Sequence, residues 1–140
     1  MLHVDERGVP LGLTVCGANR HDVSQLETLL DAKMIEQPPS DAAVPENLCL
    51  DAGFVGETAA QTVRAHGYVP HVRPRGEDIA DKDKNPAHKP RRWIVEVAHS
   101  WFNRFRKLLV RYEKKAASFL ALNQLAAAII TIRKCRLIYG

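Results

Sequence analysis

The chain has 140 residues, 46% of them apolar and 26% charged, about one ordinary domain with enough apolar material for a core, which excludes wholesale disorder. The net charge of +4 conceals two halves of opposite sign: residues 1–70 carry four basic and ten acidic side chains, a net of −6, and residues 71–140 carry sixteen and six, a net of +10. That asymmetry points to a polyanion-binding surface built from the second half.

The opening MLHVDERG has no basic stretch followed by an apolar run, so it does not read as a signal peptide. Residues 2–4 (LHV) and 11–17 (LGLTVCG), joined through the turn sequence DERG, predict a hairpin. ANRHD follows as a loop in which Asp22 or Ser24 can cap a helix. Val23, Leu26, Leu29, Leu30 and Met34 recur at helical spacing and predict an amphipathic helix over 23–34. Three prolines make 36–46 a surface loop. NLCLD (47–51) is a short apolar strand. A second helix covers about 58–65, with Gly67 as its cap. YVPHV (68–72) is a strand whose Pro70 suggests an edge or a start. Residues 73–90 are polar and contain Pro and Gly, which predicts a mobile loop.

Long helices are predicted over 91–111 and 116–136, so that 91–140 is a basic helical segment. The longest apolar stretch, in FLALNQLAAAIITI, is interrupted by Asn123 and Gln124 and reads as too short to span a bilayer. Cys16, Cys49 and Cys135 show no CxxC spacing. Their apolar neighbours predict buried free thiols in a reducing cytoplasm, not a zinc site or a disulfide framework. The order ββαβαβ followed by two helices places the chain in the α/β class.

Three places could carry chemistry. Asp51 ends an apolar strand, where mixed α/β sheets open their ligand crevice; the alternative is a turn-capping Asp before Gly53. Glu96, at 100° per residue, shares a helix face with Arg92, His99, Asn103, Arg106 and, more loosely, Ser100. A carboxylate among Arg, His and Asn suits a divalent cation bound beside a phosphodiester; the alternative is a solvated face with an ordinary Arg–Glu pair. Trp93, Val97, Trp101 and Leu108 lie on other faces and can hold this helix to the sheet. His21 and Asp22 could act in acid–base or metal chemistry, although loop and cap is the simpler reading. The segment RFRKLLVRYEKK, from Arg104 to Lys115, is dense in cations with Phe105 and Tyr112 interleaved, which favours nucleic-acid contact.

With these residues in view, the chain resembles the C-terminal part of the DDE transposases of bacterial insertion sequences, the large group of the IS-four and IS-five kind. The stretches that carry the resemblance are VDERGVPLGLTVCGANRHD, NLCLDAGF, GYVPHVRPRG and RRWIVEVAHSWFNRFRKLLVRYEKKAASFLALNQLAAAIITIR, in the family's order and over nearly the whole chain. The last is the most specific, because Arg92 precedes Glu96 by four positions, as in the signature around the family's catalytic glutamate. Lys89 stands where the family often has Tyr, and Asn103, with Arg104 adjacent, stands where it often has a basic residue.

The resemblance implies an RNase H-like fold, a mixed sheet with long C-terminal helices. It also implies two divalent ions, Mg2+ or Mn2+, held by three carboxylates, for cleavage and strand transfer of insertion-sequence DNA. Asp51 matches the second carboxylate and Glu96 the third. Arg92, His99, Asn103, Arg104, Arg106, Lys107 and Arg111 are the implied DNA contacts, to element ends and target. Neither Asp5, in a turn, nor Asp22 matches the first carboxylate. The expectation is therefore a partial catalytic domain over 1–140 that begins one strand late and leaves inner sheet edges unpaired. An upstream transposase segment or a homo-oligomer would complete it. The isolated chain is expected to bind DNA without cleaving it, in the cytoplasm at the nucleoid, with no membrane partner. An inactive remnant that only binds DNA and an RNase H-like nuclease are the alternatives.

Overall fold

The computed structural model describes residues 1–17, 19–35, 45–72 and 93–139. They fall into two compact units, one of Met1–Asn19, Thr28–Ile35 and Trp93–Gly140, the other of Arg20–Glu27 and Glu36–Arg92. The predicted loop 73–90 and most of the loop 36–46 lie outside the described residues, as does Arg92.

In the first unit, β1 (Leu2–Val4) and β2 (Pro10–Leu13) pair antiparallel. Their turn is organised by Asp5, whose Oδ1 accepts from the backbone N–H of Arg7 at 2.8 Å and of Val9 at 2.7 Å. The strand predicted over 11–17 is shorter, because the ladder closes where Thr14 N–H donates to Met1 O at 3.1 Å. Residues 15–17 find no strand partner among the described residues. Every residue of β2 is buried. Its second edge is bridged at Gly12 by Lys33, and Met34 N–H donates to Leu11 O at 2.7 Å. Helix α1 (Leu26–Asp31), preceded by a 3-10 turn over Asp22–Gln25, is shorter than its apolar period predicted for this reason: the backbone after it leaves the helix to pair with β2.

The predicted helix over 91–111 is instead two helices, α3 (Trp93–Phe102) and α4 (Arg106–Leu109). The chain tightens at the break through short-range bonds, Arg104 N–H to Trp101 O and Phe105 N–H to Phe102 O. Asn103, a weak helix former, sits at the corner. Phe105 and Leu108 then pack against the buried cluster of Leu13, Phe102, Ala126, Ala127 and Ile130.

The last helix, α5 (Ala116–Tyr139), has 24 residues, and Ala116–Arg136 is long and apolar enough to cross a membrane by length and composition. The expectation of too short a stretch is corrected on that point. Asn123 does not interrupt the helix, because its Nδ2 donates to Phe119 O, four residues back, at 2.7 Å. Ala126 and Ala127 lie on the buried side, where small side chains let the helix approach the core closely.

In the second unit, β3 (Asn47–Leu50) and β4 (Val69–Val72) pair in parallel, with Leu48 opposite Pro70. Between them, α2 (Glu57–Ala65) buries Ala59 and Val63. Gly67, at φ +82, ends this helix as predicted. Gly67 N–H donates to Arg64 O and Tyr68 N–H to Val63 O, so the last carbonyls are satisfied by a left-handed glycine that costs no Cβ clash. The described strands thus form two separate two-stranded sheets, one antiparallel and one parallel.

The thiols depart from expectation. All three cysteines are free, but Cys49 and Cys135 are exposed and Cys16 is half-buried. Apolar neighbours along the chain misled here, because β3 alternates, with Leu48 inward and Cys49 outward.

Candidate active site

Asp51 stands directly after β3, with extended backbone (φ −77, ψ 172), and caps the 3-10 turn over Ala52–Phe54. Its Oδ1 accepts from Gly53 N–H at 2.7 Å, and its carbonyl accepts from Phe54 N–H at 3.1 Å. Phe54 is buried and pins the turn. The side chain is exposed. Strand-end placement and turn capping, posed as alternatives by the sequence, are both present: one carboxylate oxygen is spent on the turn, and the other has no hydrogen-bond partner among the described residues.

Glu96 lies in the first turn of α3 and is exposed, without an ion pair among the described residues. His99 and Ser100, one turn further on, are exposed too. Ser100 Oγ donates to Val97 O at 2.6 Å, so its proton is committed to its own helix. His99 borders an open cavity of about 300 Å3 lined also by Met1, Leu13, Thr14, Phe102 and Asn103. Shelter by that wall, and then the Met1 ammonium, hold its pKa below the usual 6.5.

Ala98 and Phe102 carry the buried face of α3. Trp101 packs over Gly8 of the hairpin turn and lies under Lys134, whose Nζ is 4.0 Å from the ring centre. Trp93, expected to help hold the helix, is 55% exposed instead.

Asn103 still belongs to the face of Glu96, since its N–H donates to His99 O at 3.1 Å. The helical wheel cannot be carried to Arg106, which opens α4 after the break. Arg104, Arg106, Lys107 and Arg111 are all exposed, and none has a carboxylate partner among the described residues. Neither Asp22 nor Ser24 caps: the 3-10 turn follows His21, which makes no side-chain cap bond, and Ser24 Oγ donates to His21 O at 2.7 Å.

The sequence profile described as "Transposase DDE domain" matches residues 48–133, a span that holds Asp51, Glu96 and the basic segment. The chain belongs to the transposase DDE-domain family. It is also 30% identical, over 131 residues, to a Burkholderia cepacia protein described in its name as a transposase for insertion sequence element IS402. The alignment takes in 90% of this chain and 58% of that protein, so the chain spans a little over half the length of its relative. No solved structure matches the chain.

For a member of the transposase DDE-domain family, the carboxylates are of the right chemistry for a hard divalent cation: exposed oxygen donors, each leaving room for water. Among the described residues no three His, Cys, Asp or Glu side chains come together as a metal cage. Asp51 and Glu96 belong to different units.

Sequence reasoning missed two features of this family member. His3, which no motif or spacing singles out, is buried in β1, and burial, then Lys33, lowers its pKa to about 4; the alternation of LHV is the signal available. Leu109 and Val110, which read as helix interior, are exposed. Only the helix break reveals this.

Proposed function

We propose that this chain supplies the second and third carboxylates of a DDE site that cleaves insertion-sequence DNA and joins it to a target. The observation that carries the reading is the family match over 48–133, which includes a carboxylate at a strand end, Asp51, and one in a first helical turn, Glu96. In this reading Asp51 and Glu96 hold Mg2+ or Mn2+, with the first carboxylate coming from a transposase segment or second copy outside these 140 residues. The bound ions would activate the attacking oxygen and stabilise the leaving one. Arg92, Arg104, Arg106, Lys107 and Arg111 hold phosphates of the element end and target, and His99 and Asn103 add hydrogen bonds. The protein would act in the cytoplasm, at the nucleoid.

The test is Glu96→Gln in the transposase that contains this chain. Strand transfer of element-end DNA is expected to fall below detection, with DNA affinity kept within about twofold. Loss of binding together with transfer would make Glu96 a structural residue and overturn the assignment. The isolated 140 residues are expected to bind DNA and leave it intact.

A further inference from the structure

The parallel pairing of β3 with β4 sets three polar side chains on one exposed sheet face. Leu48 is buried on the other face, and that burial fixes the register, since a slip of one residue would turn it into solvent. Asn47 and Cys49 therefore point outward from β3, and His71, directly opposite Cys49, points outward from β4; all three are exposed. Neighbouring strands run about 4.8 Å apart, so the thiol and the imidazole are side by side although the whole of α2 separates them along the chain.

Asn47 sets the state of the ring. Its Nδ2 donates to Pro45 O at 3.4 Å, which turns Oδ1 towards His71. His71 Nε2 lies 2.7 Å from that oxygen. An amide oxygen only accepts, so Nε2 carries the proton, and in the neutral ring Nδ1 is the basic nitrogen. Nδ1 has no hydrogen-bond partner among the described residues.

An amide–imidazole pair across two strands would by itself be an ordinary surface contact. The free thiol of Cys49 beside it completes a nucleophile, a base and a group that orients the base. Among the described residues no group of three His, Cys, Asp or Glu side chains suited to a metal includes this pair, which leaves nucleophilic chemistry. An open face suits attack on a disulfide in particular, because the charge departs on the leaving sulfur and no oxyanion has to be held.

We propose that Asn47, Cys49 and His71 form a reactive-thiol site that exchanges with small disulfides. Cys49 Sγ attacks one sulfur of the disulfide, a bond forms between the two sulfurs, and the S–S bond of the small molecule breaks. The thiol proton passes to His71 Nδ1 and from there to the departing thiolate, so one mixed disulfide and one free thiol result. The site uses no residue assigned above to metal or DNA.

The test treats the native protein at pH 7 with hydroxyethyl disulfide and follows each cysteine by peptide mass mapping. The reagent is uncharged, so Arg133 and Arg136 beside Cys135 do not steer it. Cys135 is the internal reference: it is exposed too, and no histidine lies within four positions of it. Cys49 should form its mixed disulfide at least about fivefold faster than Cys135, a part of what a positioned base can give, and dithiothreitol should reverse the adduct. His71→Gln keeps a donor for Asn47 and removes the basic nitrogen, and should bring Cys49 down to the rate of Cys135. The half-buried Cys16 should stay slow in that variant, which reports an intact fold. If Cys16 speeds up instead, Asn47→Ala decides, because it frees the ring from its orienting bond and should lower the Cys49 rate at least about twofold. Equal rates for Cys49 and Cys135 in wild type overturn the inference. A fast Cys49 unchanged in both variants overturns it too, and makes exposure alone the cause.

Discussion

The backbone N–H of Gly53 donates to Oδ1 of Asp51 at 2.7 Å, so the carboxylate that ends β3 is aimed by the turn it caps. Asp51→Asn keeps an oxygen for this bond and removes the charge, whereas Asp51→Ala removes both. In denaturant unfolding, Asn should leave stability within about 0.5 kcal/mol, and Ala should cost about 1 kcal/mol, the usual loss of a cap. Both should eliminate strand transfer in the transposase that contains this chain. Activity surviving in Asp51→Asn would make Asp51 only a cap.

Gly53 itself is close enough to matter. A Cβ there would lie 3.0 Å from Asp51 Oδ1, inside ordinary contact. Gly53→Ala should therefore push the carboxylate off its bond. Strand transfer should fall more than tenfold, with a stability loss of no more than about 1 kcal/mol.

His3 ties folding to pH. The unfolded imidazole binds its proton near 6.5, but the buried one only near 4, through burial and then Lys33. The unfolded state thus takes up the proton first. This contribution is complete above pH 6.5, declines as pH falls from 6.5 towards 4, and changes no further below that. The gap corresponds to roughly 3 kcal/mol. Urea midpoints at pH 7 and pH 4.5 should differ more for wild type than for His3→Leu.

Gly8 lies in the left-handed region at φ +82, and a Cβ there would meet the Trp101 ring at 3.1 Å. Gly8→Ala combines backbone strain with displacement of the ring, and should destabilise by roughly 1–2 kcal/mol in thermal or urea unfolding.

Thiol exposure is directly measurable. Cys49 and Cys135 should react with an aromatic disulfide reagent in the native state, and the half-buried Cys16 should react more slowly. Mass spectrometry of partly labelled protein would show the order.

Much of the element order was legible. The apolar run NLCL, the helix ended by Gly67, and the hairpin through DERG each follow from local period and turn chemistry, and Asp51 and Glu96 could be named from position and resemblance. Helix lengths were not legible in the same way. The helix after ANRHD stops early because Met34 bonds to Leu11 on β2, a partner 23 positions away in the chain. The face drawn through Glu96 and Arg106 assumed one continuous helix, and the break at Asn103 removes Arg106 from it.

The sequence by itself determined the family and the basic character of the second half, and it named Asp51 and Glu96 as candidates, since residue types, spacing and charge are properties of the chain alone. Tertiary structure decided which groups are spent and which are offered. Asp51 gives one oxygen to its turn, His3 is buried in β1, and Phe105 and Leu108 take the core and leave Tyr112 in solvent. Burial and hydrogen bonding are set by neighbours distant along the chain, and no local pattern encodes them.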